Sequence, residues 1–332
     1  MSALAYLFLE ISTVVLFGAM LWHAARRGTT YVIELVSAAL YGVLLEWGNI
    51  LIFETYSYST GFWLAIGPVP IVIGLCWGLI IYSAMAYSDQ LGIVGWAAPF
   101  ADSLWAILLD LAFDAVAIRL QLWTWTVPMT AGYFGVPADN FFAWLFVAVC
   151  FSAFTRWVRS RPRVLGATFA LQMFAPVAAF LGLLLSIRLF GVLNAIVYGD
   201  AVPAGGSLLI FVLTMLLFAA LVGYAIWRAG LRIQRGIDLF PTLSRWAMHG
   251  YFLIWALLLL FMPTFRLPGM DMPFALVGIA LGLLIVESVL LIPVWRRGAR
   301  LIDQIVVVPP SEKHQSLAAD RRKRNWRRVA PQ

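Results

Sequence analysis

Acidic side chains inside long apolar segments are the residues in this chain most able to do chemistry. Seven of the sixteen Asp and Glu fall there: Glu10, Glu34, Glu46, Asp102, Asp110, Asp114 and Glu287. Each costs about 2.5–3.5 kcal/mol at the centre of a membrane helix, less near its ends, so such residues face the protein interior and are functional candidates by default. Two spacings stand out. Glu46 and Asn49 are three apart, Asp110 and Asp114 are four apart, and each pair shares one helix face. A carboxyl group removed from water resists ionisation, so one member of such a cluster can keep its proton and serve as a strong acid. A second, ionised or hydrogen-bonded, can hold and deprotonate a water. That combination suits protonation of an isolated alkene, which yields a tertiary carbocation for water to capture. Aromatic faces shield such a cation through their quadrupoles. Trp47, Tyr56, Tyr58, Trp63, Trp77, Trp105, Trp123, Trp125, Tyr133 and Trp144 lie beside the acids along the chain. Two or three of them are expected to line a cavity, the rest to pack or to sit at the membrane interface.

The elements that hold these acids must form a membrane bundle. Of 332 residues, 63% are hydrophobic and 12% charged, with a mean hydropathy of +0.90. Soluble domains average about 45–50% apolar and about 25% charged. Several apolar stretches approach or exceed the ~20 residues that cross a bilayer core of ~30 Å. The pattern predicts an all-α, polytopic transmembrane bundle with helices at 4–23, 32–53, 66–87, 98–118, 140–158, 164–187, 206–227, 246–263 and 273–295. No basic residue precedes Glu10, so the first helix is expected to be retained and not cleaved as a signal. Pro70 and Pro176, inside predicted helices, suggest kinks.

Charge orients these nine spans. With the N-terminus outside, 20 of the 23 Lys and Arg fall on the cytoplasmic side, and only Arg119, Arg188 and Arg266 do not. This bias predicts a cytoplasmic C-terminus and a multi-pass protein of the inner, cytoplasmic cell membrane. The turn near Asp89 has no base of its own, so charge leaves 87–98 undetermined. The same topology brings Glu10, Glu46, Asn49, Asp110, Asp114 and Asn140 to one level in the outer half of the bundle. Asp102 lies two turns deeper. For each acid the alternative is an interhelical hydrogen bond that fixes packing. That reading is taken for Glu34, near a helix end, while Glu287 admits both.

Three regions follow: 1–160 with the acidic site, 161–297 with the remaining helices, and 298–332 as a basic cytoplasmic tail. The tail carries Arg321-Arg322-Lys323-Arg324-Asn325-Trp326-Arg327-Arg328. Adjoining a membrane anchor, it is expected to meet anionic lipid and no nucleic acid. Cys76 and Cys150 are far apart in apolar segments and read as packing residues. His23, His249 and His314 are scattered, so no metal site is expected.

From Glu46 to Trp144 the chain resembles the carotenoid-biosynthesis membrane protein family that includes carotenoid 1,2-hydratases and bisanhydrobacterioruberin hydratases. The matching pieces are Glu46-Trp47-Gly48-Asn49, Tyr56-Ser57-Tyr58, and Val69 to Trp77. They continue with Asp110 through Asp114 and Ala117, Trp123-Thr124-Trp125, and Gly132 to Phe141, ending at Trp144. Departures from the family pattern are Ala115 and Gly74, where Pro is expected, and Glu54 and Ala143, where Gly is expected. The resemblance implies addition of water to the terminal double bond of an acyclic carotenoid end group, without a cofactor. It implies Asp110 or Asp114 as proton donor, Glu46 as carboxylate partner, and Asn49 and Asn140 as water-positioning residues. Tyr58, Trp77, Trp125 and Tyr133 are expected to contact substrate or water. The partners would then be a hydrophobic polyene, water and the lipid bilayer.

Two other functions compete. An intramembrane prenyltransferase also uses nine helices, but its magnesium-diphosphate chemistry needs a second acidic motif and nearby bases. The chain shows no second motif beside Asp110-x-x-x-Asp114, and few bases lie near that pair. A proton-coupled transporter or lipid-binding scaffold would use the acids as relays, but the sequence lacks inverted repeats or paired broken helices.

Overall fold

The computed structural model describes residues 2–161, 165–233, 238–262 and 271–295. Nine long helices lie among them: α1 Ser2–Arg27, α2 Thr29–Gly48, α3 Ile71–Leu91, α4 Ala98–Arg119 and α5 Ala138–Arg159, then α6 Leu165–Tyr198, α7 Leu208–Ala229, α8 Leu239–Phe261 and α9 Phe274–Leu290. A four-residue turn of helix, α10, follows at Ile292–Trp295. The protein is an all-α bundle. Seven of its helices are long and apolar enough to cross a membrane. The other two are α9, which has 17 residues, and α4, which carries Asp102, Asp110 and Asp114.

Almost every residue of α3 and α4 is buried, so these two helices are the centre. Helices α1, α2 and α8 pack on α3, while α5, α7 and α9 pack on α4; α6 closes the side between α2 and α5. Small residues let α2 approach α3. A Cβ at Gly42 would stand 2.4 Å from Trp77 Cβ, and one at Gly74 would stand 2.5 Å from the Val43 side chain. Close backbone contact through glycine is a common device for membrane helices, and here it sets Glu46, one turn beyond Gly42, beside Trp77.

Short strands tie the loops at one end. Strand β1 (Tyr56–Tyr58), between α2 and α3, pairs antiparallel with β4 (Trp123–Trp125), between α4 and α5. In register, Tyr56 faces Trp125 and Tyr58 faces Trp123. A second hairpin joins β2 (Ala65–Ile66) to β3 (Val69–Pro70) through Gly67 at φ 60°. This hairpin occupies the start of the helix predicted at 66–87. Pro70 therefore caps α3 and does not kink it, whereas Pro176 does lie inside α6. Helix α2 ends in a π-helical turn, Asn49–Phe53, followed by Glu54 at φ 51°. A left-handed residue is unstrained only as glycine, which explains why the family pattern has Gly there.

The opposite end carries the arginines. Arg156 and Arg159 of α5 both bond Asp89 at the end of α3, at 2.7 and 3.0 Å. The turn that lacked its own base borrows two. Helices α6 and α8 are longer than predicted, which moves two residues out of loops. Arg188 is helical, and Arg245 is fully buried within α8. Arg245 donates to both Glu287 oxygens at 2.7 and 2.6 Å and to the Trp105 carbonyl at 2.6 Å; His249 approaches the same carboxylate at 3.1 Å. Glu287→Gln should strand that guanidinium and lower stability by about 3–5 kcal/mol, with Glu287→Gln/Arg245→Met recovering much of the loss. Thermal unfolding in detergent reads both. The basic tail, His314, Arg163, Arg235 and Arg266 lie outside the described residues.

Candidate active site

Glu46 projects from the last turn of α2 into a ring of donors. Tyr56 and Tyr58 are two apart on β1, so both hydroxyls point to the same side, and both donate to Glu46 Oε2, Tyr58 at 2.8 Å. Trp77 Nε1, from α3, donates to Oε1 at 2.7 Å. An indole N–H can only donate, so Glu46 is held as an acceptor on both oxygens. Burial and the neighbouring Glu46 carboxylate push the Tyr58 hydroxyl well above the usual phenol range. It stays protonated and donates.

Asp110 and Asp114 are adjacent on α4 and close enough to hydrogen-bond one another once a proton lies between them. Asn140, in the first turn of α5, donates Nδ2 to Asp114 Oδ2 at 2.5 Å and to Asp110 Oδ2 at 3.2 Å. Asp110 Oδ1 is buried and meets no donor among the described residues. One amide thus bridges two buried carboxyl groups one helical turn apart.

Asp114, Asn140 and Glu46 line one cavity of ≈ 40 Å³. Its walls are largely aromatic: Tyr56, Tyr58, Trp77, Phe113, Trp123, Trp125 and Trp144. The Trp77 and Trp144 ring centres are 4.2 Å apart. A neighbouring cavity of ≈ 110 Å³ shares Glu46, Tyr56, Trp77, Trp125, Asn140 and Trp144, and adds Asn49, Thr55, Asp139 and the α6 side chains Phe180, Leu183, Leu184 and Ile187. Trp125 Nε1, in the wall of both, is buried and has no acceptor among the described residues. It is a free donor for a water or hydroxyl.

The other candidates from the sequence are distributed as follows. Asn49 lines the second cavity only and accepts from Thr55 at 3.1 Å. Tyr133 stands near Asp110, packed on Phe134 and Phe141, and lines neither cavity. Burial, with Asp110 nearby, pushes its hydroxyl up to about 12. Glu10 accepts from the Trp63 amide at 2.8 Å and lines neither cavity. Asp102 belongs to the arginine end, bonded by Ser152 and by Arg156 at 3.0 and 3.1 Å. Glu34 is there too, held by Arg159 at 2.7 Å. Of the aromatic candidates, Trp47 and Trp63 are exposed and Trp105 packs on Tyr87.

Of the aromatics expected to contact substrate or water, Tyr58, Trp77 and Trp125 line the cavity of Glu46 and Asp114. Tyr56, Trp123 and Trp144, from the wider set of ten of which two or three were expected there, and Phe113, from outside that set, line it too, so more aromatics enclose it than expected. The signal for Tyr56 was present: Tyr-x-Tyr opposite Trp-x-Trp is a period of two, which turns alternate side chains to one face. Among the described residues, no group of three or more His, Cys, Asp and Glu is arranged to hold a metal ion.

No curated protein and no solved structure matches the chain. A sequence profile described as "Carotenoid biosynthesis protein" does, over residues 3–224. The match runs past the acidic half through α6 and most of α7, farther than the motifs from Glu46 to Trp144 extend. It covers the helices that build both cavities, and on that match this membrane protein belongs to the carotenoid biosynthesis protein family.

Proposed function

We propose that the protein adds water to the terminal double bond of an acyclic carotenoid end group. The supporting observation is that Asp114 and Glu46 line the same aromatic-walled cavity. In this reading the Asp110–Asp114 pair supplies the proton, and Asp114 delivers it because it lines the cavity and Asp110 does not. The proton adds to the CH carbon of the trisubstituted alkene, the π electrons form that C–H bond, and a tertiary cation is left on the dimethyl carbon. Trp77, Trp144 and Phe113 present their rings to it. Water then bonds to the cation and releases a proton to Glu46. Asn140 and the Trp125 N–H orient that water. Proton return from Glu46 to the aspartates closes the cycle, and no electrons leave the substrate, so no redox cofactor is required.

The protein would act in the cytoplasmic membrane, its arginine-rich end on the cytoplasmic side. Expressing the chain in a lycopene-accumulating strain and weighing the extracted pigment tests the reaction. Hydration yields products heavier by one or two waters. Unchanged lycopene, or a product of unchanged mass formed by cyclisation, overturns the proposal.

A further inference from the structure

A third cavity meets the acid site from the other side. It lies between α1 and α8, measures ≈ 300 Å³ and shares two walls, Cys76 and Phe113, with the cavity that holds Asp114 and Glu46. Its lining is almost wholly apolar. The three hydroxyls in it are already engaged: Ser12 donates to the Leu9 carbonyl at 3.2 Å, Thr13 sits 3.3 Å from Cys76 Sγ, and Tyr251 donates to the Ala5 carbonyl. Rim residues Phe8 and Ile254 are 65% and 58% exposed, so the cleft opens on the outer face of the bundle.

Two contacts tie α1 to α8 along this cleft. At one end Tyr251 donates to the Ala5 carbonyl at 2.9 Å. At the other, His23 bonds Asp238 at 2.7 Å and stacks on Phe240. The two helices leave a window between them, with Phe8 and Ile254 exposed on its rim.

We propose that this window admits the polyene and holds its chain, while the end group passes between Cys76 and Phe113 to the acids. The identity of that end group rests on the hydratase reading; the cleft's preference for a linear hydrocarbon rests on its own shape and lining. Water is served from the opposite side, where the α2–α5–α6 cavity carries Asn49, Thr55, Asp139 and Asn140. Apolar chain and water thus reach the cation from different directions, and the unreacted alkene is kept dry until protonation.

Gly250 makes the proposal testable. It lines the cleft, and a Cβ built on it meets nothing within 4 Å, so a larger side chain there starts in open space and Gly250→Phe is chosen to fill the cleft. Gly223 on α7 is equally open and lines none of these three cavities, so Gly223→Phe is the control. The full-length chain is purified in detergent from lycopene-accumulating cells, and lycopene bound per protein is measured alongside hydrated pigment in the cells. Gly250→Phe should lower both by about tenfold or more, whereas Gly223→Phe should leave both within about twofold. Ser12→Phe, which fills the cleft from α1, should repeat the loss if Gly250→Phe proves unstable. Unaltered binding and hydration in folded Gly250→Phe or Ser12→Phe overturn the cleft and leave the hydratase reading standing. Loss of bound lycopene with no hydrated pigment even from the wild type keeps the cleft and removes the hydratase.

Discussion

Asp114→Asn should lower hydrated carotenoid by about 10²–10⁴-fold, the usual contribution of a positioned general acid. The substitution is nearly isosteric, and the local hydrogen bonds survive it. The carbonyl of the introduced amide can accept from Asn140, which donates to Asp114 at 2.5 Å in the wild type, while its NH₂ group donates to Asp110. The protein should therefore insert and elute from a sizing column as the wild type does. Asp110→Asn is the informative contrast. It leaves Asp114 in the cavity wall and removes only the group behind it, so its loss should be at least about tenfold smaller than that of Asp114→Asn. Pigment extracts resolved by mass read both. Equal losses would place the donor on the pair as a unit, and the reverse order would make Asp110 the donor.

Glu46→Gln is expected to be as damaging to activity, for a different reason, and to cost stability as well. Three donors converge on this carboxylate: Tyr56, Tyr58 and Trp77. A glutamine amide offers one acceptor oxygen, so its NH₂ group must face either the indole N–H or the phenols. One buried donor left without an acceptor costs about 1–3 kcal/mol. Keeping both phenol bonds on the amide oxygen turns the NH₂ group toward the indole N–H, which can only donate. Adding Trp77→Phe to Glu46→Gln should thus restore part of the thermal stability without restoring hydration. If the double variant recovered hydrated product, Glu46 would be a scaffold for Trp77 and not the base. The two measurements, melting temperature and product mass, separate those roles.

The departures from the family pattern have local explanations in part, and none touches the acids. Glu54 occupies a left-handed position where the pattern has Gly. Gly74 stands where α3 approaches α2 so closely that a Cβ would meet Val43 at 2.5 Å. Ala115 follows Asp114 and is fully buried within an unbroken α4; nothing in its surroundings calls for the Pro of the pattern.

Length, hydropathy and the distribution of arginines were enough, without coordinates, to define a bundle of about nine membrane helices and to single out seven acids within them. Those properties are local: an apolar run reports its own solvent, and a carboxyl inside it reports its own cost. They could not say which acids were already neutralised. Glu34, Asp102 and Glu287 look like Glu46, Asp110 and Asp114 in the sequence, yet Arg159, Arg156 and Arg245 approach them from residues 125, 54 and 42 positions away. Only the tertiary packing decides that the first three are paired with cations, while Glu46 and Asp114 line one aromatic-walled cavity and Asp110 stands behind Asp114 on the same Asn140. Ion pairing acts over a few ångströms in space and is indifferent to distance along the chain, so the cations that neutralise Glu34, Asp102 and Glu287 were decided by the tertiary structure alone.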